Sequence, residues 1–259
     1  MKKILILLVI MILVLCGCGD NQFSGTDKPY EVKKSEKYEN QEITNPYELT
    51  YSGDIIIKLL DKVEEIEAQR RQNVLKSAEN DPNFDYSLVK NYKYDLILLD
   101  DDNIPELVVS EPDSWVGLYV YNKGKYVFAM EDSVKELGGW TYGTVDNQSY
   151  EYIPKANVVY NTGSEYKNFV NYYNFYTLEE LGLKPIYNQK LNVLHFLDDN
   201  GNKIPDEGEK YKQDLKVYYY GDKEISEQEF DEYIVEGIYQ NFFGTKSFED
   251  FKIALNNLD

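Results

Sequence analysis

Between Asp54 and Ala78 the apolar residues Ile56, Leu59, Leu60, Val63, Ile66, Val74 and Ala78 recur at near-helical spacing. Acidic residues fill the early turns and Arg70, Arg71 and Lys76 the late ones, which suits the helix dipole. The pattern predicts a long amphipathic helix that stops at the turn cluster Asn80-Asp81-Pro82-Asn83. Strand-like patterns follow. Tyr94–Leu99 is apolar, Leu107–Val109 resumes that character after an acidic interruption, and Gly117–Asn122 and Lys125–Met130 flank the hairpin signal Asn122-Lys123-Gly124. Further β-like runs cover 150–160, 166–176, 191–197 and 212–220. Ser226-Glu227-Gln228-Glu229 is a capping box that opens a helix to about Tyr239, and Ser247 caps another carrying Phe248, Phe251, Ile253 and Leu255. No Pro/Gly/Ser-rich linker divides the roughly 210 residues involved, enough for one substantial core. Residues 48–259 are therefore expected to form a single α+β domain: a long N-terminal amphipathic helix, an antiparallel β-rich middle with two acidic loops, and C-terminal helices.

Two segments precede this domain. Residues 19–47 are polar, mixed in charge and without apolar periodicity, the composition of a disordered tether. Before them, Lys2 and Lys3 lead into twelve unbroken apolar residues, Ile4–Leu15. At ~1.5 Å rise per residue this run falls short of the ~30 Å hydrocarbon core, so a signal peptide over residues 1–17 is expected rather than a permanent span. The following Leu15-Cys16-Gly17-Cys18 resembles the lipobox of bacterial lipoproteins, an aliphatic residue three before the cysteine and a small one just before it. The resemblance implies that Cys18 is diacylated, with palmitate-type chains, and becomes the mature N-terminus. The domain would then be lipid-anchored at the extracytoplasmic face of the cell membrane. Cys16 fits the pattern less well, because bulky Leu15 precedes it. Both cysteines of the chain lie in this segment, so no internal disulfide is expected despite the oxidising address.

Charge narrows the partners. The formal charge is −19, with 46 acidic residues against 27 basic, and losing Lys2 and Lys3 with the leader makes it more negative still. Such an excess repels nucleic acid and anionic headgroups and attracts cations. No nucleic-acid partner is expected, and a protein or glycan partner is not specified. The 25 tyrosines, with frequent Asn, Lys and Ile, match the coding of an AT-rich genome and require no functional explanation.

Oxygen-bearing residues then become informative by their spacing. An EF-hand-type Ca²⁺ loop places oxygens at positions 1, 3, 5, 7, 9 and 12, the seventh a backbone carbonyl. Counted from Asp198, those positions hold Asp198, Asn200, Asn202, the carbonyl of Ile204, Asp206 and Glu209. Lys203 stands at position 6, where Gly normally makes the turn; if αL is required there, a non-Gly residue costs ~1 kcal/mol. With three carboxylates the affinity should be low, about 10⁻⁴–10⁻³ M, as in extracellular modules. One hundred residues upstream, LLDDDNIPELVV repeats the arrangement, with Asp100, Asp102, the carbonyl of Ile104 and Glu106 at positions 3, 5, 7 and 9. Leu98 and Val109, at positions 1 and 12, cannot ligate, while Asn103 at position 6 tolerates αL. Of the two loops, 198–209 is the stronger candidate.

YDLILLDDDNIPELVV resembles the strand, D-x-D-x-[DN]-[GN]-I-P-E-L, strand unit of lipoproteins from clostridial and related low-GC Gram-positive bacteria, and is similar to the Ca²⁺ loops of FG-GAP and dockerin-type repeats. YEYIPKANVV and YYYGDKEISEQEFDEYI also resemble segments of such lipoproteins, so the likeness spans much of residues 90–240. It implies an anchored, Ca²⁺-stabilised surface protein and no particular reaction.

Catalytic signals are weak. His195 is the single histidine and sits in an apolar strand without a second His or a Cys to complete a transition-metal site, so a structural role is expected. No G-x-S-x-G occurs, and 46 acids make carboxylate pairs uninformative. Gly138-Gly139-Trp140 and the Tyr172–Tyr176 run could offer aromatic platforms for sugars, although period-two aromatics usually pack. The expected function is a binding or structural lipoprotein, with no enzyme activity expected. The alternative is a cell-wall or carbohydrate-directed hydrolase or a glycan-binding protein.

Overall fold

The side chain of Ser52 accepts the Ile55 N–H and caps helix α1 (Gly53–Asn80). The computed structural model describes residues 45–112, 115–130, 140–141, 146–165, 170–179, 181–186, 190–197, 203–204 and 213–258, all within one unit, Lys33–Asp259. Along α1 a stripe of Ile56, Leu59, Val63 and Ile66 is buried. Glu67 lies on the same stripe and is only 3 % exposed. Its carboxylate is satisfied there, accepting from the Tyr94 hydroxyl at 2.7 Å and from Arg70 Nε at 2.9 Å.

The stripe packs on a first antiparallel sheet. It comprises β1 (Lys93–Ile97), β2 (Glu106–Glu111), β3 (Trp115–Asn122) and β4 (Lys125–Phe128) in sequence order, with β5 (Trp140–Thr141) paired to β3. Tight turns carry the meander: between β3 and β4, Lys123 and Gly124 adopt φ of +48° and +84°, as a two-residue hairpin requires. Strand alternation splits this sheet's side chains between two cores. Leu107 and Val109 join α1, Phe251 and Leu255, whereas Val108, Val116, Leu118 and Val120 join Phe242 and, from the other sheet, Tyr150, Tyr152 and Val159. Covered on both faces, β2 shows no polar alternation, and five of its six residues are buried.

The second sheet has nine antiparallel strands. It contains β6 (Asp146–Ile153), β7 (Val158–Glu165), β8 (Val170–Glu179), β9 (Gly182–Pro185), β10 (Lys190–Leu197), β11 (Lys203–Ile204), β12 (Gln213–Tyr220), β13 (Lys223–Ile225) and β14 (Gln240–Asn241). The order is β13-β12-β10-β8-β7-β6-β14, with β11 on β10 and β9 on β8. Two further α-helices, α2 (Glu227–Asp231) and α3 (Phe248–Asn256), and two short 3₁₀ turns, Pro46–Glu48 and Tyr86–Leu88, complete the described elements.

The α+β expectation, a β middle framed by helices, is corrected to a β-rich fold: two antiparallel sheets dominate, and the C-terminal part is only partly helical. The capping box at Ser226 and Glu229 does form, but α2 ends at Asp231 rather than near Tyr239. Beyond it come β-branched Ile234 and Val235 and then Gly237, a poor run for a helix. At Gly237 a Cβ would lie 2.6 Å from Ile153 Cδ1, so the segment runs close against a side chain of β6 there. The chain then pairs β14 with β6 and crosses to the first sheet, where Tyr94 and Lys246 form a bridge. The apolar run 150–160 also differs from a single strand. It is a hairpin, β6 and β7, whose turn holds Lys155 and Asn157 at φ of +56° and +55°. At the other end, packing begins before Glu48: Pro46 is buried, and the Tyr47 hydroxyl donates to Asp95 Oδ1 at 2.7 Å.

No helix among the described residues is long and apolar enough to cross a membrane.

Candidate functional site

Strands β1 and β2 pair with Ile97 opposite Glu106, so residues 98–105 are forced into a tight connecting loop. Leu98 and Leu99 are buried and anchor its first arm, which explains why position 1 of the spaced pattern is apolar: the core claims that side chain. Their carbonyls accept the N–H groups of Lys155 and Asn157, at 2.9 and 2.7 Å, from the β6–β7 turn. At the tip, Asn103 takes the αL conformation at φ +59°, a state Asn adopts more readily than most residues. Lys155 Nζ donates to its side-chain oxygen at 2.8 Å. On the return arm, the Tyr126 hydroxyl donates to the Pro105 carbonyl at 2.8 Å.

Held in this way, the loop brings three carboxylates together. Ligand oxygens of Asp100, Asp102 and Glu106 all lie within 4.8 Å of one another. Asp100 accepts the Asp102 N–H at 3.1 Å, Asp102 accepts the Ile104 N–H at 2.6 Å, and Glu106 accepts the Leu99 N–H at 2.7 Å. Glu106 is 4 % exposed, against a solvated Asp102. Burial drives the Glu106 carboxyl well above the ordinary carboxylate range; the Leu99 N–H opposes the shift, and the charges of Asp100 and Asp102 add to it. Burial raises Asp100 as well, with Asp102 contributing charge repulsion. Among the described residues, none of the three forms an ion pair with a Lys or Arg.

This donor set suits a hard cation. Two oxygens that share one Ca²⁺ at ~2.4 Å can stand at most ~4.8 Å apart, the limit these carboxylates meet. Three carboxylates that repel one another, one of them inside the protein, would be relieved by a divalent charge among them. Thiolate and imidazole are absent from the cluster, so a soft or borderline metal has no preferred ligand there.

The other site residues are placed as follows. Asp198, Asn200, Asn202, Asp206 and Glu209 lie outside the described residues, as does Cys18. Ile204 is described through its backbone: Lys203 and Ile204 form β11, paired with Leu197 and Phe196 of β10. Position 6 of that loop is thus in a strand, where an EF-hand-type loop would turn through αL. His195 falls in β10, its backbone opposite Leu215. The turn at 154–157, whose N–H groups hold the first arm of the 98–105 loop, carries little in the sequence to mark it as part of a site. Its one signal is Pro154-Lys155-Ala156-Asn157 inside an otherwise β-like run.

No protein family, curated protein or solved structure matches this chain.

Proposed function

We propose that this chain is an extracytoplasmic, lipid-anchored protein with a binding or structural role, and that Ca²⁺ held by Asp100, Asp102 and Glu106 stabilises its β-rich domain. The observation that carries the ion assignment is the convergence of three carboxylates within 4.8 Å on a loop clamped at both arms. The anchor rests on the apolar run Ile4–Leu15 followed by Leu15-Cys16-Gly17-Cys18, and Cys18 is the residue assigned the lipid. A second Ca²⁺ loop at Asp198–Glu209, with Asn200, Asn202, Ile204 and Asp206, rests on its spacing alone. The ion would neutralise repelling carboxylates and fix the β1–β2 connection to the β6–β7 turn.

Thermal melts in millimolar Ca²⁺ and in EDTA test the ion. At about ten times Kd the gain is RT ln(1 + [Ca²⁺]/Kd), ~1.4 kcal/mol, or ~3–6 °C in Tm for a domain of this size. The gain should vanish in the Asp102→Asn, Glu106→Gln double variant and persist in part in Asp198→Ala. A melt indifferent to Ca²⁺, or a gain that the double variant keeps, refutes the site. Cys18→Ser should abolish incorporation of labelled palmitate and release the chain from membranes.

A further inference from the structure

We propose that the aromatic pocket on the second sheet is a binding site for a neutral, hydroxyl-rich ring, a saccharide residue. The pocket encloses about 340 Å³, within the size range of small-molecule sites. Its floor is made by strand alternation: Tyr173 and Phe175 of β8, Tyr160 of β7, Asn192 of β10 and Tyr218 of β12 face one side, and α2 forms the wall. Neither the lipid anchor nor the ion is involved in this inference.

The rings are held in place. Tyr160 stacks on Phe175 with centroids 4.6 Å apart, and both Tyr173 and Tyr218 lean on Phe230 of α2, at 5.4 and 5.0 Å. Buried Asn192, 2 % exposed, accepts from Asn171 Nδ2 and donates to the Tyr173 hydroxyl oxygen at 3.1 Å. Tyr173 thereby accepts within the protein, and among the described residues its own O–H proton has no acceptor and remains to donate. The Tyr218 hydroxyl donates to Glu227 Oε1, which fixes that carboxylate at the wall; among the described residues its second oxygen is left to accept.

Charge selects the ligand class. Among the described residues the pocket carries two carboxylates, Glu227 and Asp231, and one ammonium, Lys216, which lies 5.8 Å from the Tyr218 ring centroid. An anionic ligand would meet both carboxylates in a chain of charge −19. A cationic ligand would meet Lys216 on one of the rings it needs. A sugar ring satisfies every group: its apolar C–H face covers a tyrosine, while its hydroxyls donate to the carboxylates and accept from Tyr173 and Lys216. The wider groove of about 870 Å³ around Asp95 lacks this readiness. There Asp95 already accepts from Tyr47, Thr245, Lys246 and the Leu96 N–H.

Titration calorimetry on the full chain provides the test, with cellotetraose and chitotetraose as neutral probes and tetramethylammonium chloride and inorganic phosphate as ionic ones. Saturable binding of at least one sugar is expected. It should weaken at least about tenfold in Tyr173→Ala, by loss of ring contact. The same loss is expected in Asp231→Asn, at an exposed position where no effect on folding is expected. Absence of saturable binding by either sugar below about 10 mM overturns the proposal. So does tetramethylammonium or phosphate binding in place of sugar, or sugar binding that Asp231→Asn leaves unchanged. If Tyr173→Ala also lowers Tm, Asp231→Asn alone decides.

Discussion

Gly244 is the position where one added methyl group should do most damage. A Cβ there would stand 2.2 Å from both the carbonyl carbon and oxygen of Lys93 and 2.5 Å from the Tyr94 nitrogen, all backbone atoms of β1. Ordinary contact begins near 3.4 Å, so the two chains must separate by more than an ångström. That separation breaks what joins the C-terminal segment to the first sheet. Tyr94 N–H donates to the Lys246 carbonyl at 3.0 Å, Lys246 N–H and Thr245 N–H donate to the Tyr94 carbonyl at 3.0 and 3.3 Å, and Gly244 N–H donates to Ser110 Oγ at 3.1 Å. At ~1 kcal/mol each, their loss puts Gly244→Ala about 3–4 kcal/mol below wild type, a large share of the ~5–15 kcal/mol typical of a folded domain. Urea unfolding followed by tyrosine and tryptophan fluorescence measures this; with m of ~2 kcal/mol/M the midpoint should fall by about 1.5–2 M. Two other glycines calibrate the result. Gly124→Ala meets no neighbour within 4 Å but sits at φ +84°, and should cost ~1 kcal/mol. Gly53→Ala, in open space at the start of α1, should gain ~0.4–1 kcal/mol. If Gly244→Ala lies no lower than Gly124→Ala, the close approach of the C-terminal segment to β1 is wrong.

Glu106 should set the pH dependence of the metal-free chain. Its folded pKa is raised above the ordinary value of 4.5, so between the two the native state binds the extra proton and stability falls as pH rises. Melts in EDTA from pH 4.5 upward should show that decline, Glu106→Gln should flatten it, and Ca²⁺ should stabilise more as pH rises; an unchanged slope in the variant refutes the assignment. Tyr94→Phe removes the 2.7 Å hydrogen bond to buried Glu67 and should cost ~1.5–3 kcal/mol in urea titration, much less in a Glu67→Gln background. Asn157→Ala loses the side-chain pair to the Leu178 N–H and carbonyl and forces Ala to φ +55°; a destabilisation of ~2–3 kcal/mol by the same titration is expected, with a smaller Ca²⁺ response.

Local chemistry, readable residue by residue, determined the start of α1, since Ser52 and the spacing of Ile56, Leu59, Val63 and Ile66 need no distant partner to specify a capped, one-sided helix. The β3–β4 turn and the spaced acids of the 98–106 loop belong to the same class, because αL-tolerant residues and period-two oxygens act within a few residues. Tertiary structure alone decided the rest. Periodicity marks a strand but not its neighbour, so the division into two sheets, and the burial of both faces of β2, depended on pairings far apart in the chain. The helix start at Ser226 formed, but its continuation past Asp231 did not: there the chain runs against Ile153 at Gly237 and goes on to pair with β6 and bridge to Tyr94. The same non-local packing sets Glu106 in the interior beneath the Lys155–Asn157 turn. It also gathers Tyr160, Tyr173, Asn192 and Tyr218 from four strands around one pocket. Spacing along the chain can nominate ligands, but their burial, and hence their protonation and affinity, follows from which distant segments close over them.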